Sequence, residues 1–356
     1  MSSKIALGSN PRAILEVAGV DVRWTDLIHL RLENTLYMAA DSFEATLDNQ
    51  HMLSDWLRKE QEVRIYIGYV RNPDKWSKDE LVHVFTGKID GVRPSFGNPN
   101  TVQLLGRDYS ARMIDTESTI AFKNQKSGQI AQLLAKKYGL KFIGQSGDAD
   151  LDKEMFTNKK EWDILQALAD REGFVCYVTK NKELYFGPRK DSDETPIYTF
   201  SRVPGKQNCK IEYDDSSVGV ITKVTVRHWH KKKLIQGSAE NKALAKSIGQ
   251  VKERIVFDSK AKTPADAKRI AERKLKEWSR AVVTGHATTP LLPYLEAEKK
   301  VKTNGTGRFN GDYYIDRVVH EISRSGAISE TDITNIRPDT AEQYRQDLYD
   351  YKEKKM

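Results

Sequence analysis

The chain has 356 residues, 38% hydrophobic and 30% charged, with a formal net charge of +8 at pH 7. That is apolar material for two or three domains of the usual ~100–200 residues, and no apolar run approaches the ~18 residues that a bilayer span requires, so membrane insertion is not expected. Two cysteines, Cys176 and Cys209, make no disulfide framework, and the opening MSSKIALGSNPR lacks the apolar stretch of a secretory signal, so folding in a cytoplasm is expected.

Residues 11–110 read mostly as strands. SFEATLDN puts Phe43, Ala45 and Leu47 on one face, EVRIYIGYV does so with Val63, Ile65 and Ile67, and TVQLLGRD with Val102 and Leu104. Period-two alternation gives each strand one buried and one wet face, as in an antiparallel sheet or barrel. HMLSDWLRKE reads as a short amphipathic helical turn gathering Leu53, Trp56 and Leu57, and RNPDKWSKDE as a polar hairpin loop.

The texture changes near residue 119. KSGQIAQLLAKKYGLKF reads as a helix with Ser127 as N-cap, Ile130, Leu133, Leu134 and Tyr138 on one face, and Gly139 at its end. NKKEWDILQALADREG reads as a second, with Asn158 and Glu161 at capping-box spacing, Trp162, Leu165, Leu168 and Ala169 as its stripe and Gly173 as its stop. FVCYVTKNKELYFGP then forms a β-hairpin about a Lys-Asn-Lys turn, with Cys176 buried in its first strand.

Strands return after RKDSDETP. VGVITKVTVRHWH alternates from Val218 through Val220, Thr222, Val224 and Val226 to His228, which predicts a wall of a second barrel or sandwich. Residues 241–280 hold twelve Lys or Arg against five Asp or Glu, a local charge of +7; the interleaved acids point to a solvated face rather than a nucleic-acid site. Within them KTPADAKRIAERKLKEWSRAV is a helix, capped by Thr263, with Pro264 first, Asp266 in its first turn, and a stripe of Ala267, Ile270, Ala271, the Lys274 stem, Trp278 and Val282. Asn304-Gly305 and Asn310-Gly311 mark turns between further strands, among them DYYIDRVVHEIS. The last segment spaces Ala341, Tyr344, Leu348 and Tyr351 as one side of a short helix opening at Thr340 with Gln343 in capping-box position.

The fold class read from this order is α+β, mainly β: a first tube-like β-barrel over 1–118, a small α+β domain over 119–200, a second barrel over 201–338 with a flanking helix 264–282 and a basic insert 231–262, and a helical tail over 339–356.

No catalytic, cofactor-binding or metal-ligating residue is assigned. His228 and His230 share one strand face, but zinc needs three or four ligands and nothing nearby supplies a third. The glycine-rich 304–311 stretch sits between strands, unlike a phosphate loop, which opens a helix. Asp148 with Asp150, and Asp191, Asp193 and Glu194, lack the spacing of a calcium loop and read as polar loops. G-x-S-x-G, C-x-x-C, H-E-x-x-H and Walker patterns do not occur.

Several segments taken together resemble the late control protein D family, the baseplate hub proteins of contractile phage tails, defective prophages and R-type bacteriocins. SFEATLDNQ followed by EVRIYIGY is similar to that family's first-barrel strands, and VFTGKIDGV to the strand that follows. NKKEWDILQALADREGFVCYVTKNKELYFGP is similar to its Trp-bearing helix and hairpin, and GDYYIDRVVHEISRSG to its late strand pair. The resemblance implies a non-enzymatic homotrimer whose two barrels per subunit make a ring of six, an adaptor between a six-fold tail tube and a three-fold central spike. It implies as partners the tube protein, the spike protein, a tape-measure protein and a LysM-type baseplate protein, with nucleic acid touched only in passing. It places the protein in the host bacterial cytoplasm during assembly and then in the baseplate of the virion or tail-like particle. Two readings stand beside it: a cell-wall hydrolase acting during envelope penetration, and a nucleic-acid-binding module using the basic segment and RHWHKKK, whose affinity would fall steeply with salt.

Overall fold

The computed structural model describes residues 10–35, 40–146, 150–172, 174–188, 195–216, 220–230, 233–258, 261, 263–279 and 283–335. The expected tail helix over 339–356, Asp148, Asp191–Glu194, Gly173, Val218, Lys231, Lys232 and Val282 lie outside them.

The first half is seven antiparallel strands: β1 (Pro11–Val17), β2 (Val20–Val22), β3 (Leu27–Thr35), β4 (Ser42–Asp48), β5 (Glu62–Tyr69), β6 (Val82–Ser95) and β7 (Thr101–Asp108), hydrogen-bonded in the order β3-β4-β7-β6-β5-β1-β2. The alternation works as read. Phe43, Ala45, Leu47, Val63, Ile65, Ile67, Val102 and Leu104 all enter one core, closed below by Leu57 and the half-buried Leu53 and Trp56. The sheet pulls tight where β6 meets β7: a Cβ on Gly106 would stand 2.2 Å from the Lys88 carbonyl and 2.4 Å from the Phe43 ring, so only glycine lets Phe43 lie across the strand and meet Phe85 edge-on at 5.4 Å.

The insert contains α1 (Ser110–Asp115), β8 (Glu117–Lys126), α2 (Ser127–Lys137), β9 (Lys141–Gly144), β10 (Asp150–Lys160), α3 (Glu161–Glu172), β11 (Val175–Thr179) and β12 (Glu183–Gly187). β8 and β10 form a long antiparallel pair, and β11-β12-β9 a three-stranded sheet with β9 parallel to β12. Ile130, Leu134, Trp162, Leu165, Leu168, Cys176, Leu184 and Phe186 share its core. Both expected caps shift. Lys126 holds the N-cap of α2, its backbone N–H bonded to Gln129 Oε1 at 2.9 Å, while the buried Ser127 hydroxyl donates to Glu172 at 2.7 Å. Asn158 remains in β10 with φ +49°, and Glu161 is the first helical residue rather than the third.

The remainder contains β13 (Tyr198–Ser201), β14 (Lys210–Asp214), β15 (Lys223–His230), β16 (Lys233–Glu240), α4 (Lys242–Ile248), β17 (Glu253–Phe257), α5 (Pro264–Trp278), β18 (Thr284–Pro290), β19 (Lys300–Asn304), β20 (Gly311–Ser323) and β21 (Gly326–Thr334). β13, β14 and β18–β21 build a second half around Phe200, Ala287, Leu292, Leu295, Val301, Ile315, Val318 and Ile333. β20 is long enough to serve three partners: β21 runs along one edge, and on the other its start pairs with β19 while Arg317–Ser323 pair antiparallel with β3 of the first half. The two strand-rich halves therefore share one sheet of thirteen strands. The sheet also rolls. β1 stands at the far side of the first half in the bonding order, yet Ala13, Leu15 and Val17 share a core with Ile322 of β20 and with Leu291. The fold is mainly β with an inserted α+β unit, as the sequence reads.

One reading is corrected. The alternating run ending at His228 is a strand, but it is not a wall of the second half. Among the described residues β15 pairs only with β16, antiparallel, and β17, parallel, and this separate sheet packs on α5 through Val224, Val226, Ala267, Ile270, Ala271 and Leu275. The basic segment 231–262 supplies its second and third strands. Alternation fixes which residues share a face; it does not say which strand lies alongside. The α5 cap is as read, with the Thr263 hydroxyl accepting the Asp266 N–H at 3.1 Å and donating to the Asp266 carboxylate at 2.8 Å.

Candidate functional site

The place where the first half, the insert and the second half meet is a cavity of about 410 Å³. Its walls come from the end of β3 and the approach to β4, the start of β6 and the end of β7, the β11–β12 hairpin, and the segment from Pro293 to Lys299. Ends of strands converge here, which brings side chains remote in sequence together.

The hairpin tip is the tie. Lys182 donates to Glu62 of β5 at 2.7 Å, and Lys180 donates to Glu296 of the second half at 3.2 Å. Glu62 also accepts the Tyr109 hydroxyl at 2.5 Å. Burial alone would raise the Glu62 carboxyl, but Lys182, Tyr109 and Arg64 overcome it and hold it below the ordinary range. The Lys-Asn-Lys turn, legible as a turn, thus carries one cation to each strand-rich half. Across the seam, Arg317 donates to Glu33 at 2.6 Å, Arg31 pairs with Glu321, and the Ala297 N–H donates to Asn34 at 2.5 Å.

The cavity also holds two carboxylates that face each other across adjacent strands. Asp41 and Asp108 flank the register pair Ser42–Arg107, and the Asp108 N–H donates to the Asp41 carbonyl at 2.9 Å. Asp41 accepts from Asn34 Nδ2 at 2.6 Å and from the Thr35 N–H at 2.9 Å; Asp108 accepts from the Ser110 hydroxyl and N–H. Desolvation, with the charges of Glu296 and Glu33 behind it, pushes Asp41 up to about 6, and desolvation together with the Asp41 charge pushes Asp108 up to about 8. His320, buried on the second-half side and bonded to Ser329 at 2.8 Å, is pushed down to about 4 by burial and is neutral. Periodicity shows nothing of this pair, because the two residues are far apart in sequence and only the β4–β7 register brings them together.

A carboxyl whose folded pKa is raised favours the folded state when protonated. That contribution is complete below the ordinary Asp value of 3.8 and is lost as pH rises through about 8. Asp108→Asn removes the loss and one half of the repulsion. Denaturant unfolding is expected to show a stability gain of about 1 kcal/mol or more at pH 9 and little change at pH 5, from a shift of more than one pKa unit at a partly accessible group. An equal change at both pH values would contradict the assignment.

The other stretches singled out in the sequence lie elsewhere. His228 and His230 are on β15 with ring centroids 6.2 Å apart, and no group of three or more His, Cys, Asp or Glu is placed to share a metal ion among the described residues. Residues 304–311 connect β19 to β20 as a hairpin, where Phe309 stacks on Tyr213 at 4.7 Å. Asp150 opens β10. Cys176 and Cys209 are free, buried thiols, each raised by burial. No helix among the described residues is long and apolar enough to cross a membrane.

A family model described as the Alg8 N-terminal domain matches residues 53–324. No curated protein matches the sequence. Among solved structures, the tail protein from Neisseria meningitidis MC58 is similar over 92% of this chain and 97% of its own, at 15% identity and TM-score 0.71. The prophage MuSo2 43 kDa tail protein from Shewanella oneidensis is similar over 93% and 99%, at 15% identity and TM-score 0.73. The Escherichia coli c3393 protein, a type VI secretion component described as structurally similar to the T4 tail proteins gp27 and gp5, is similar over 91% and 76%, at 12% identity and TM-score 0.53. At these identities the likeness is one of fold: the chain has the fold of phage tail proteins, in agreement with the resemblance carried by its strands.

Proposed function

The chain belongs to the Alg8 N-terminal domain family, and we propose that it is a structural, non-enzymatic component of a contractile-type tail: the baseplate hub, a trimeric adaptor between a six-fold tube and a three-fold spike. The observation that carries this reading is the β3–β20 seam. It binds two strand-rich halves, each with its own core, into one sheet, so a single chain offers two sheet modules side by side. Three copies offer six, which can face a six-fold tube on one side while keeping three-fold symmetry on the other. Closed symmetry reuses one interface and stops growth. The likeness to tail proteins over nearly the whole of both chains supports the same reading. On it, the partners are the tube and spike proteins, with the tape-measure and LysM-type baseplate proteins near by, and the protein assembles in the bacterial cytoplasm before residing in the tail particle.

The test is mass in solution, alone and with tube and spike proteins. The proposal expects a species of about 122 kDa, three copies of the 40.6 kDa chain, formed alone or on adding the partners. A chain that stays monomeric with both partners present contradicts it.

A further inference from the structure

One face of the β15–β17 sheet packs on α5 through Val224, Val226, Ile235 and Val256. The helix sits close: a Cβ on Gly237 of β16 would stand 2.2 Å from the Lys268 backbone nitrogen of α5, so sheet and helix form one tightly joined plate. By alternation and register the opposite face carries Thr225, Arg227 and Trp229 from β15, Leu234 from β16, and Ile255 and Phe257 from β17.

The two ends of that face differ. Near the start of β15, Glu253 accepts from the Thr225 hydroxyl at 2.5 Å and pairs with Lys223 at 3.2 Å, so its charge is answered in place and Thr225 is buried. At the other end Trp229 is 66% exposed, Phe257 74% and Leu234 46%. Together with Ile255 and Val251 these are five of the ten large hydrophobic side chains exposed among the described residues, gathered within 29 residues of a 356-residue chain. Such a concentration ordinarily marks a binding face. Arg227 stands between the two rings: it is the register partner of Phe257 and lies two residues before Trp229 on the same strand. Its Nε donates to Gln236 at 3.1 Å, which anchors the guanidinium on the face. Two residues along and one strand across, the backbones that bear Trp229 and Phe257 are roughly 8 Å apart.

The charge of the unit selects the partner. Over residues 220–280 the sequence holds seventeen Lys or Arg against six Asp or Glu, a balance of +11, so the rest of the chain is at −3. A surplus of that size repels a second copy of the unit and attracts a polyanion. Interleaved charge by itself makes a solvated face; exposed rings beside a cation make a surface that can hold flat groups. A duplex keeps its base faces stacked inside, whereas a single strand can turn them out onto aromatic side chains.

We propose that the end of this sheet formed by Arg227, Trp229 and Phe257 binds single-stranded nucleic acid, with two successive bases stacked on Trp229 and Phe257 and the phosphate between them meeting Arg227. The inference goes beyond the tail-hub reading and does not depend on it.

The test is fluorescence anisotropy of labelled oligothymidylate with the full chain at about 50 mM salt, against a duplex of the same length. Saturable binding is expected, about tenfold or more tighter to the single strand than to the duplex, and falling steeply as salt is raised to about 200 mM. Trp229→Ala and Phe257→Ala are each expected to weaken it about tenfold, the loss of one base–aromatic stack, while Trp229→Phe keeps a ring and stays within about threefold of the parent. No binding at low salt overturns the proposal. Equal affinity for the duplex, or binding that both alanine variants leave unchanged, assigns the attraction to charge alone and overturns it too. Poly-L-glutamate that displaces the label as well as unlabelled oligothymidylate does would assign the face to an acidic protein, with the same consequence. Should the alanine variants fail to fold, ultraviolet cross-linking of the parent to the strand decides: cross-links at Trp229 or Phe257 are expected, and cross-links confined to other residues overturn the proposal.

Discussion

Ile322→Ala is expected to lower the free energy of unfolding by about 3 kcal/mol, within the range of about 2–5 for truncating a large buried aliphatic side chain, and to separate the unfolding of the two strand-rich halves. Ile322 is fully buried, sits on β20 of the second half opposite Leu30 of β3, and packs in the core of the first half with Ala13, Leu15 and Val17. It is one side chain that belongs to one half by chain position and to the other by packing. Truncation leaves a cavity at the seam, where the surrounding strands are held by backbone pairing and cannot collapse into it. Denaturant unfolding followed by two probes, one in each half, gives coincident transitions for the parent and divergent ones for the variant. Val20→Ala, at the exposed end strand, serves as the control and should move stability by no more than about 0.5 kcal/mol. A loss below 1 kcal/mol for Ile322→Ala would mean that the seam is held by its ladder alone.

The second large effect is expected at Glu161. Its side chain has no exposed surface, although it opens a helix, and it accepts from Ser118 at 2.6 Å, Lys137 at 2.6 Å and Tyr138 at 2.5 Å. Three elements of the insert thus converge on one carboxylate. Burial pushes its carboxyl up, but the Lys137 ammonium and the two hydroxyls outweigh this and hold it below its ordinary value of 4.5. Glu161→Ala takes the shared acceptor from the half-buried Tyr138 and Ser118 hydroxyls, while Lys137, half exposed, can turn outward. The expected cost is about 1–3 kcal/mol, from one charge-assisted bond and two partly buried hydroxyl bonds lost. The pH dependence has a definite sign. Because the folded carboxyl is the stronger acid, its stabilisation is complete above about pH 4.5 and is lost as pH falls through the lower folded value. Glu161→Gln should therefore flatten the acid limb of the insert's stability curve, followed by near-ultraviolet circular dichroism of its Trp162. An acid limb identical in parent and variant would place the titrating group elsewhere.

What the sequence disclosed and what it withheld divide along a physical line. Local periodicity was sufficient for the faces of β4, β5 and β7, for α3 and α5, and for the hairpin about Lys180–Lys182, because each is fixed by neighbours within a few residues; on α2 it grouped Leu133 with Ile130, Leu134 and Tyr138, but Leu133 is 51% exposed and only the other three meet the core. Pairing between distant strands was not. The run that ends in β15 looked like a wall of the second half because its alternation is that of any half-buried strand, and the parallel strand that completes its sheet, β17, follows only after α4. The cap of α3 was misplaced for a related reason: Asn158 and Glu161 have capping-box spacing, but the long β8–β10 pairing keeps residues up to Lys160 extended and makes Glu161 the first helical residue. The junction was invisible altogether. Lys180 and Lys182 read as turn residues, Asp41 and Asp108 carry no periodic signal, and only the convergence of three units gives them their partners. Order of segments along the chain carried the tail-protein resemblance, and fold comparison agrees with it at the level of architecture.

The central claim is that one chain contributes two sheet modules, joined through β3 and β20, to a ring built by three copies. Electron cryomicroscopy of the chain assembled with its tube and spike proteins tests it most directly. The account predicts three copies arranged as six similar modules around a channel, with Arg317–Ser323 paired to His29–Thr35 within each copy. A ring of six copies, or one in which the two halves of a chain separate and that strand pair is broken, would contradict it.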